Sequence, residues 1–148
     1  MKRRRVAMKS QPRETVLLPF FREKSRHISV VARLSGKPAK LIVDTGAGVT
    51  CIHSDSLNRY KLKLSQKTKK GGGVGSACMK LTNVESHDLS FEGVDLSTFK
   101  LIALDLSHVI AGLAKAKVEG VVGDLGADVL HQRRAVIDYA RGVILLSK

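Results

Sequence analysis

One aspartate of the chain directly follows an apolar, strand-like segment, in the run Leu41-Ile42-Val43-Asp44-Thr45-Gly46-Ala47-Gly48. A carboxylate at the end of a buried strand is costly unless its lone pairs accept hydrogen bonds. The nearest donors are Thr45 and the backbone N–H groups of Gly46 and Ala47, and Gly46 permits a sharp turn with close approach of another backbone. We therefore expect Asp44 to be held rigidly at the mouth of a core, ready for acid–base chemistry.

Two further segments have a recognisable pattern. A glycine-rich stretch occupies residues 71–76. About 75 residues after Asp44, two hydrophobic residues precede a glycine in Glu119-Gly120-Val121-Val122-Gly123. A short helix candidate follows in Gly126-Ala127-Asp128-Val129-Leu130, and then an alternating strand in Ala135-Val136-Ile137-Asp138-Tyr139. Asp128 is interpreted as the N-terminal cap of that helix, and Asp138 as a surface group.

In this order, the segments resemble the retroviral-type (retropepsin-like) aspartic proteases over roughly residues 15–148, most closely the bacterial single-domain members. The resemblance implies an all-β fold with one or two short helices, arranged as a single-lobe closed β-barrel that is active as a two-fold homodimer. It also divides the chain into a basic flexible tail, 1–13, and a protease domain, 14–148.

The implied function is an aspartic endopeptidase without cofactor or metal. Such enzymes need two carboxylates that share one proton, and this chain has a single Asp-Thr-Gly, so a second copy would supply the second Asp44. The resemblance gives Asp44, Thr45 and Gly46 catalytic roles. A flap at about 67–79 would close over an extended peptide, and the substrate-binding residues would be Ala47, Gly48, Gly72, Gly73, Val74 and Gly75.

Two departures from the viral pattern concern substrate binding and packing. Gly48 stands where viral members often have an aspartate, and Ala127 where they have its arginine partner. Losing both members of an ion pair costs less than losing one. In Gly123-Asp124-Leu125-Gly126, either Gly123 or Gly126 could be the glycine that packs against the Asp44 loop.

The charge suggests an alternative function, a catalytically silent dimeric module that binds partners through basic surfaces. The net charge is +13, with basic excess in residues 1–26 and 56–84. Nucleic-acid binding is possible but unsupported, because aromatic residues make up only 4% of the chain and stacking platforms need them. The glycine stretch lacks the Gly-Lys-Ser/Thr of a phosphate loop. Cys51 and His53 could suggest a metal site, but the possible further ligands, Cys78, His87, His108 and His131, do not have zinc-ligand spacing.

Composition also bounds the location of the protein. Its 148 residues suit one domain, and no apolar run approaches the length of a membrane span. The basic start, Met1 to Arg5, lacks the apolar segment of a secretory signal. Two cysteines suit a reducing compartment. We therefore expect a cytoplasmic protein. The resemblance to the retropepsin-like proteases implies that its partner is a peptide or protein substrate.

Short strands separated by turns make up most of the predicted secondary structure. A hairpin is predicted over 26–43, with its turn at Ser35-Gly36-Lys37-Pro38. Further strands are predicted within 79–106, and a final hairpin over 135–146. Ser107 is predicted to cap a helix that ends near Ala114, and a second short helix is predicted over 127–133.

Overall fold

The computed structural model describes residues 14–71 and 79–148, and this part of the chain is mostly short β-strands. The two helices are α1 (Ser107–Lys115) and α2 (Ala127–Gln132), and neither is long and apolar enough to cross a membrane. The predicted tail, 1–13, and residues 72–78 lie outside the described residues. The strands are β1 (Thr15–Pro19), β2 (Phe21–Arg22), β3 (Ile28–Leu34), β4 (Lys37–Val43), β5 (Cys51–His53), β6 (Leu64–Gly71), β7 (Met79–Val84), β8 (Ser90–Phe91), β9 (Val94–Asp95), β10 (Ile102–Leu104), β11 (Val121–Leu125), β12 (Val136–Asp138) and β13 (Val143–Ser147).

The hairpin predicted over 26–43 is confirmed as β3 and β4. Leu34 lies opposite Lys37, so the turn consists of Ser35 and Gly36 alone. Both have positive φ, 51° and 72°, as two-residue hairpin turns require because their twist matches that of the strands. β3 then alternates between buried and exposed residues, which directs Val30, Ala32 and Leu34 into the core.

The middle of the larger sheet determines where Asp44 lies. β4 pairs with β3 on one side and runs parallel to β11 on the other, with Val43 beside Leu125. β11 also pairs with β5, and β5 runs parallel to β10. Because the carboxyl ends of parallel strands meet at one edge, Asp44 and Gly126 emerge side by side.

The fold is all-β with two short helices, as predicted, but the predicted closed barrel is wrong for the residues described. Their larger sheet follows an open path from β6 to β9, and no pairing joins its ends. At the β9 end of this path, β8 and the edge strand β9 are only two residues long and offer little backbone for further pairing. The first and last of the described strands, β1 and β13, pair with each other in a separate three-stranded sheet completed by β12.

The capping residues of both helices differ from the prediction. The residue that caps α1 is Leu106, whereas Ser107 is already helical and donates from its N–H and its hydroxyl to the Asp105 carboxylate. The cap of α2 is Gly126, so the capping role predicted for Asp128 is wrong. Helix α1 packs through Leu113 against Ile42 of β4, in a small cluster beside the main core.

Candidate active site

The carboxylate of Asp44 is anchored through one oxygen only. Oδ1 accepts hydrogen bonds from the backbone N–H of Gly46 at 2.8 Å and of Ala47 at 3.3 Å, the two backbone donors that the sequence indicates. Within the described part of the chain, Oδ2 accepts no hydrogen bond and Asp44 forms no ion pair. The side chain is half-buried. One oxygen is thus fixed while the other is available to a bound molecule.

Backbone hydrogen bonds hold both ends of this loop against the segment that joins β11 to α2. The N–H of Asp44 donates to Leu125 O at 3.0 Å, and the N–H of Ala127 donates to Ala47 O at 2.7 Å. Paired backbone groups of this kind fix position more tightly than a side-chain contact, since they involve no rotamer freedom. The position of the Asp44 carboxylate is therefore fixed by the larger sheet.

The structure decides which glycine packs against the Asp44 loop. A Cβ on Gly126 would lie 2.6 Å from Val49 C and 2.8 Å from Thr50 N, so Gly126 meets the end of the loop. A Cβ on Gly123 would lie 2.0 Å from the carbonyl oxygen of Cys51, so Gly123 meets strand β5 instead. Both glycines are required by close backbone approach, each against a different element.

Thr50 and Asp128 form a buried link behind the loop. Asp128 Oδ1 accepts from the Thr50 N–H at 3.0 Å and from the Thr50 hydroxyl at 2.9 Å. The hydroxyl oxygen in turn accepts from the N–H of Gly126 at 3.0 Å. Thr50 is 1% exposed. This link joins the C-terminal end of the loop to α2, and it is the role that Asp128 has in place of helix capping.

Comparison with known proteins identifies the family to which the chain belongs. The family model described as aspartyl protease matches residues 30–129, more than half of the chain. The chain belongs to the aspartyl protease family. No curated protein matches it in sequence.

Two solved structures show the fold of this aspartyl protease. A retropepsin-like aspartic protease from Rickettsia conorii superposes with a TM-score of 0.58 and 16% identity, covering 94% of this chain and 96% of that one. The retroviral protease-like domain of Ddi1 from Leishmania major gives a TM-score of 0.54 and 14% identity, covering 80% and 86%. The retropepsin-like resemblance stated from the sequence is confirmed.

The other predicted site residues fall into two groups. Thr45, Gly46 and Gly48 are exposed on the Asp44 loop and Ala47 is half-buried. A Cβ on Gly46 would lie 3.2 Å from Asp44 Oδ1. The close neighbour of Gly46 is therefore the Asp44 carboxylate and not the backbone of another segment. Gly72, Gly73, Val74 and Gly75 lie outside the described residues, between the paired strands β6 and β7. The roles assigned to all these residues stay predictions.

One ionisable residue near the site is missed by the sequence interpretation. Asp124 lies on β11 beside Ile42 of β4 and opposite Cys51 of β5. Burial, and secondly the negative charge of Asp44, raise the pKa of the Asp124 carboxyl. Burial likewise raises the pKa of the Cys51 thiol to about 12. The available signal was an acidic residue inside the apolar run Val121–Leu125.

The histidine and cysteine considered as metal ligands have other partners in the aspartyl protease. His53 Nδ1 accepts from the N–H of Leu106 at 3.0 Å, which positions the start of α1. The Cys51 thiol faces the Asp124 carboxylate at 3.6 Å. Across residues 14–71 and 79–148, no group of three or more His, Cys, Asp or Glu side chains could hold a metal ion.

Replacing Thr50 by valine is expected to lower the free energy of unfolding by about 1–3 kcal/mol, because the Gly126 N–H loses its buried acceptor. Chemical denaturation followed by circular dichroism measures the change. Thr98→Val serves as the control, since Thr98 is exposed and its substitution should change stability by less than about 0.5 kcal/mol. Equal effects of the two substitutions would show that the Thr50 link contributes nothing to stability.

Replacing Asp124 by asparagine is expected to stabilise the fold at neutral pH. Its pKa is raised in the folded state, so the folded chain binds this proton more tightly than the unfolded chain, and stability is lost as pH rises from the unfolded pKa towards the folded one. The gain from Asp124→Asn should therefore be present at pH 7 and absent near pH 3, as measured by thermal melting. Asp95→Asn should instead lower the stability at pH 7, because hydrogen bonds from Ser97 lower the pKa of the Asp95 carboxyl in the folded state.

Proposed function

We propose that this aspartyl protease is an endopeptidase that hydrolyses peptide bonds with two Asp44 carboxylates, one from each of two copies of the chain. The observation that carries the proposal is the one-sided anchoring of Asp44. Oδ1 is fixed by its own loop, whereas Oδ2 accepts no hydrogen bond in the described part of the chain. A carboxylate that polarises water needs such an oxygen, held still and accessible.

The second carboxylate comes from a second copy because the chain has one Asp-Thr-Gly. Asp124 is the nearest alternative, but its position in the sheet is beside Ile42, two residues behind Asp44. At about 3.3 Å per residue, this offset places its backbone some 6–7 Å back from the loop. A two-fold axis beside the exposed Thr45 and Gly46 would bring two identical loops together.

The chemistry then follows from two adjacent carboxylates that share one proton. The ionised Asp44 takes a proton from a bound water as that water attacks the peptide carbonyl. The protonated Asp44 of the other copy donates to the carbonyl oxygen, which gives a tetrahedral intermediate. Return of a proton to the leaving nitrogen breaks the C–N bond.

Substrate would bind as an extended strand beneath a flap. The strands β6 and β7 form an antiparallel hairpin, and its predicted tip contains the glycines at 72, 73 and 75. Closure of such a hairpin over the peptide would exclude water from the reaction. Backbone hydrogen bonds to the peptide would supply affinity, and side-chain cavities beside Asp44 would supply specificity.

Cleavage of an unfolded protein tests the proposal. The purified chain is incubated with a denatured protein at several pH values, and new termini are identified by mass spectrometry. We expect defined cleavage that is suppressed by a hydroxyl-containing peptide analogue of the tetrahedral intermediate, because such analogues bind more tightly than substrate. An absence of cleavage at every pH, with the chain folded, would favour the silent binding module.

Assembly of the two copies should depend on salt. Each chain has a net charge of +13, so a dimer would have 2 × 13 = +26, and repulsion between the copies opposes association. Raising the ionic strength shortens the Debye length to about 8 Å at 0.15 M, so sedimentation should show tighter dimers at moderate salt than at low salt. A dissociation constant independent of salt would contradict charge-limited assembly.

A further inference from the structure

A cavity of about 380 Å³ opens beside Asp44 and contains a second acidic residue, Asp124. Helix α1 forms one wall with His108, Val109 and Leu113, and the segment before β3 contributes His27. The cavity is large enough for a long amino-acid side chain. Because it includes Asp44 itself, a peptide whose scissile bond lies at Asp44 would place a flanking side chain here.

Asp124 lines this cavity and forms no ion pair with a lysine or arginine among the described residues. Its hydrogen bond is with the Cys51 thiol, at 3.6 Å, and none of the ion pairs formed in the described residues includes it. The residue beside it on β4 is Ile42, which is buried. A partly buried carboxylate in apolar surroundings is costly unless a positive charge joins it. The fold therefore leaves this carboxylate without a lysine or arginine partner among the described residues, and the attraction of the nearby His27 side chain lowers the pKa of Asp124 less than burial raises it.

We propose that Asp124 is a specificity-determining residue that receives a lysine or arginine side chain of the substrate, next to the bond that Asp44 cleaves. The proposal rests on the peptidase function proposed above. A basic side chain would supply the missing counter-charge, and its aliphatic part would pack against Val109 and Leu113 on the α1 wall. In a two-fold dimer each copy supplies one such cavity, so the preference should hold on both sides of the scissile bond.

Other ionisable groups around Asp124 define the conditions for the test. Asp44, His27 and His108 line the same cavity, and the Cys51 thiol adjoins Asp124. Burial raises the pKa of the Asp124 carboxyl, so acid pH would protonate this group and remove its attraction for a basic side chain. Assays of preference therefore belong at neutral pH, with an acid pH for comparison.

The test compares matched peptides that differ in one residue flanking the cleaved bond, lysine in one and norleucine in the other. A hydrogen bond to a charged group contributes enough for a preference of about ten- to hundredfold in kcat/KM for the lysine peptide. Asp124→Asn should reduce this ratio to near one, and Asp124→Glu should retain most of it. Asp95→Asn, which removes an exposed carboxylate on β9, should leave the ratio unchanged. Circular dichroism verifies that each variant is folded.

The outcomes separate this inference from the proposed function. Loss of the lysine preference in Asp124→Asn alone supports the inference. If the unmodified chain cleaves both peptides equally, or if folded Asp124→Asn keeps the preference, the inference is overturned while the peptidase function stands. If folded Asp124→Asn cleaves neither peptide, Asp124 belongs to the chemistry and its role in specificity is overturned. If the unmodified chain cleaves no peptide or protein, both proposals fail.

Discussion

Replacing Asp44 by asparagine is expected to abolish peptide cleavage and leave the fold intact. Asparagine has nearly the shape of aspartate and keeps a carbonyl oxygen, which can still accept from the N–H groups of Gly46 and Ala47. It can neither take a proton from water nor share one with a second carboxylate. Acid–base groups of this kind contribute about 10²- to 10⁴-fold to rate, and a homodimer of the variant loses both of them.

The rate of product formation from a peptide, compared with the melting temperature, measures the two effects separately. Asp95→Asn is the matched control for turnover, since it makes the same chemical change at an exposed position outside the cavity. We expect the Asp44 variant to melt like the unmodified chain while its turnover falls at least about a hundredfold. Retained cleavage by Asp44→Asn would remove the basis of the proposed mechanism.

Replacing Gly123 by alanine is expected to unfold the chain or to lower its stability severely. The new Cβ would lie 2.0 Å from the Cys51 carbonyl oxygen and 3.0 Å from Ile52 Cα. These are backbone atoms of β5, which cannot move without breaking its pairing with β11. Overpacking in a core typically costs about 1–3 kcal/mol, and a clash with a fixed backbone belongs at or above the upper end.

Gly48→Ala provides the control for this substitution. A Cβ at Gly48 would meet nothing within 4 Å, and the residue is exposed, so its stability change should lie within about 0.5 kcal/mol. Chemical denaturation and soluble yield measure both variants. Near-equal stability of Gly123→Ala and Gly48→Ala would show that β5 and β11 are not packed as closely as described.

The parts of the fold that depend on neighbouring residues could be predicted from the sequence. Ser35 and Gly36 specify their hairpin because a two-residue turn needs residues that adopt positive φ. The two backbone donors to Asp44 were predictable because they follow it within three residues, whereas Thr45, also expected to donate, forms no hydrogen bond with this carboxylate in the described part of the chain. The pattern around Gly123 and Gly126 likewise indicated a second segment that packs near the Asp44 loop.

Features that depend on distant pairing could not be predicted. Whether Gly123 or Gly126 meets the loop depends on the register between β4 and β11, which includes a β-bulge between Val121 and Gly123. Aspartate is a common N-terminal cap of helices, and only the fold reveals that Asp128 accepts hydrogen bonds from Thr50 instead. The open sheet and the pairing of β1 with β13 are likewise set by long-range contacts.

Mixing the unmodified chain with Asp44→Asn tests most directly whether two copies share the catalytic carboxylates. The two proteins are allowed to exchange at a concentration where dimers predominate, and turnover per unmodified chain is followed as the variant is added. With a tenfold excess of variant, random pairing of two-fold dimers leaves about one eleventh of the original activity. Activity that is unchanged by the excess would show that each chain acts alone and would contradict the shared dyad.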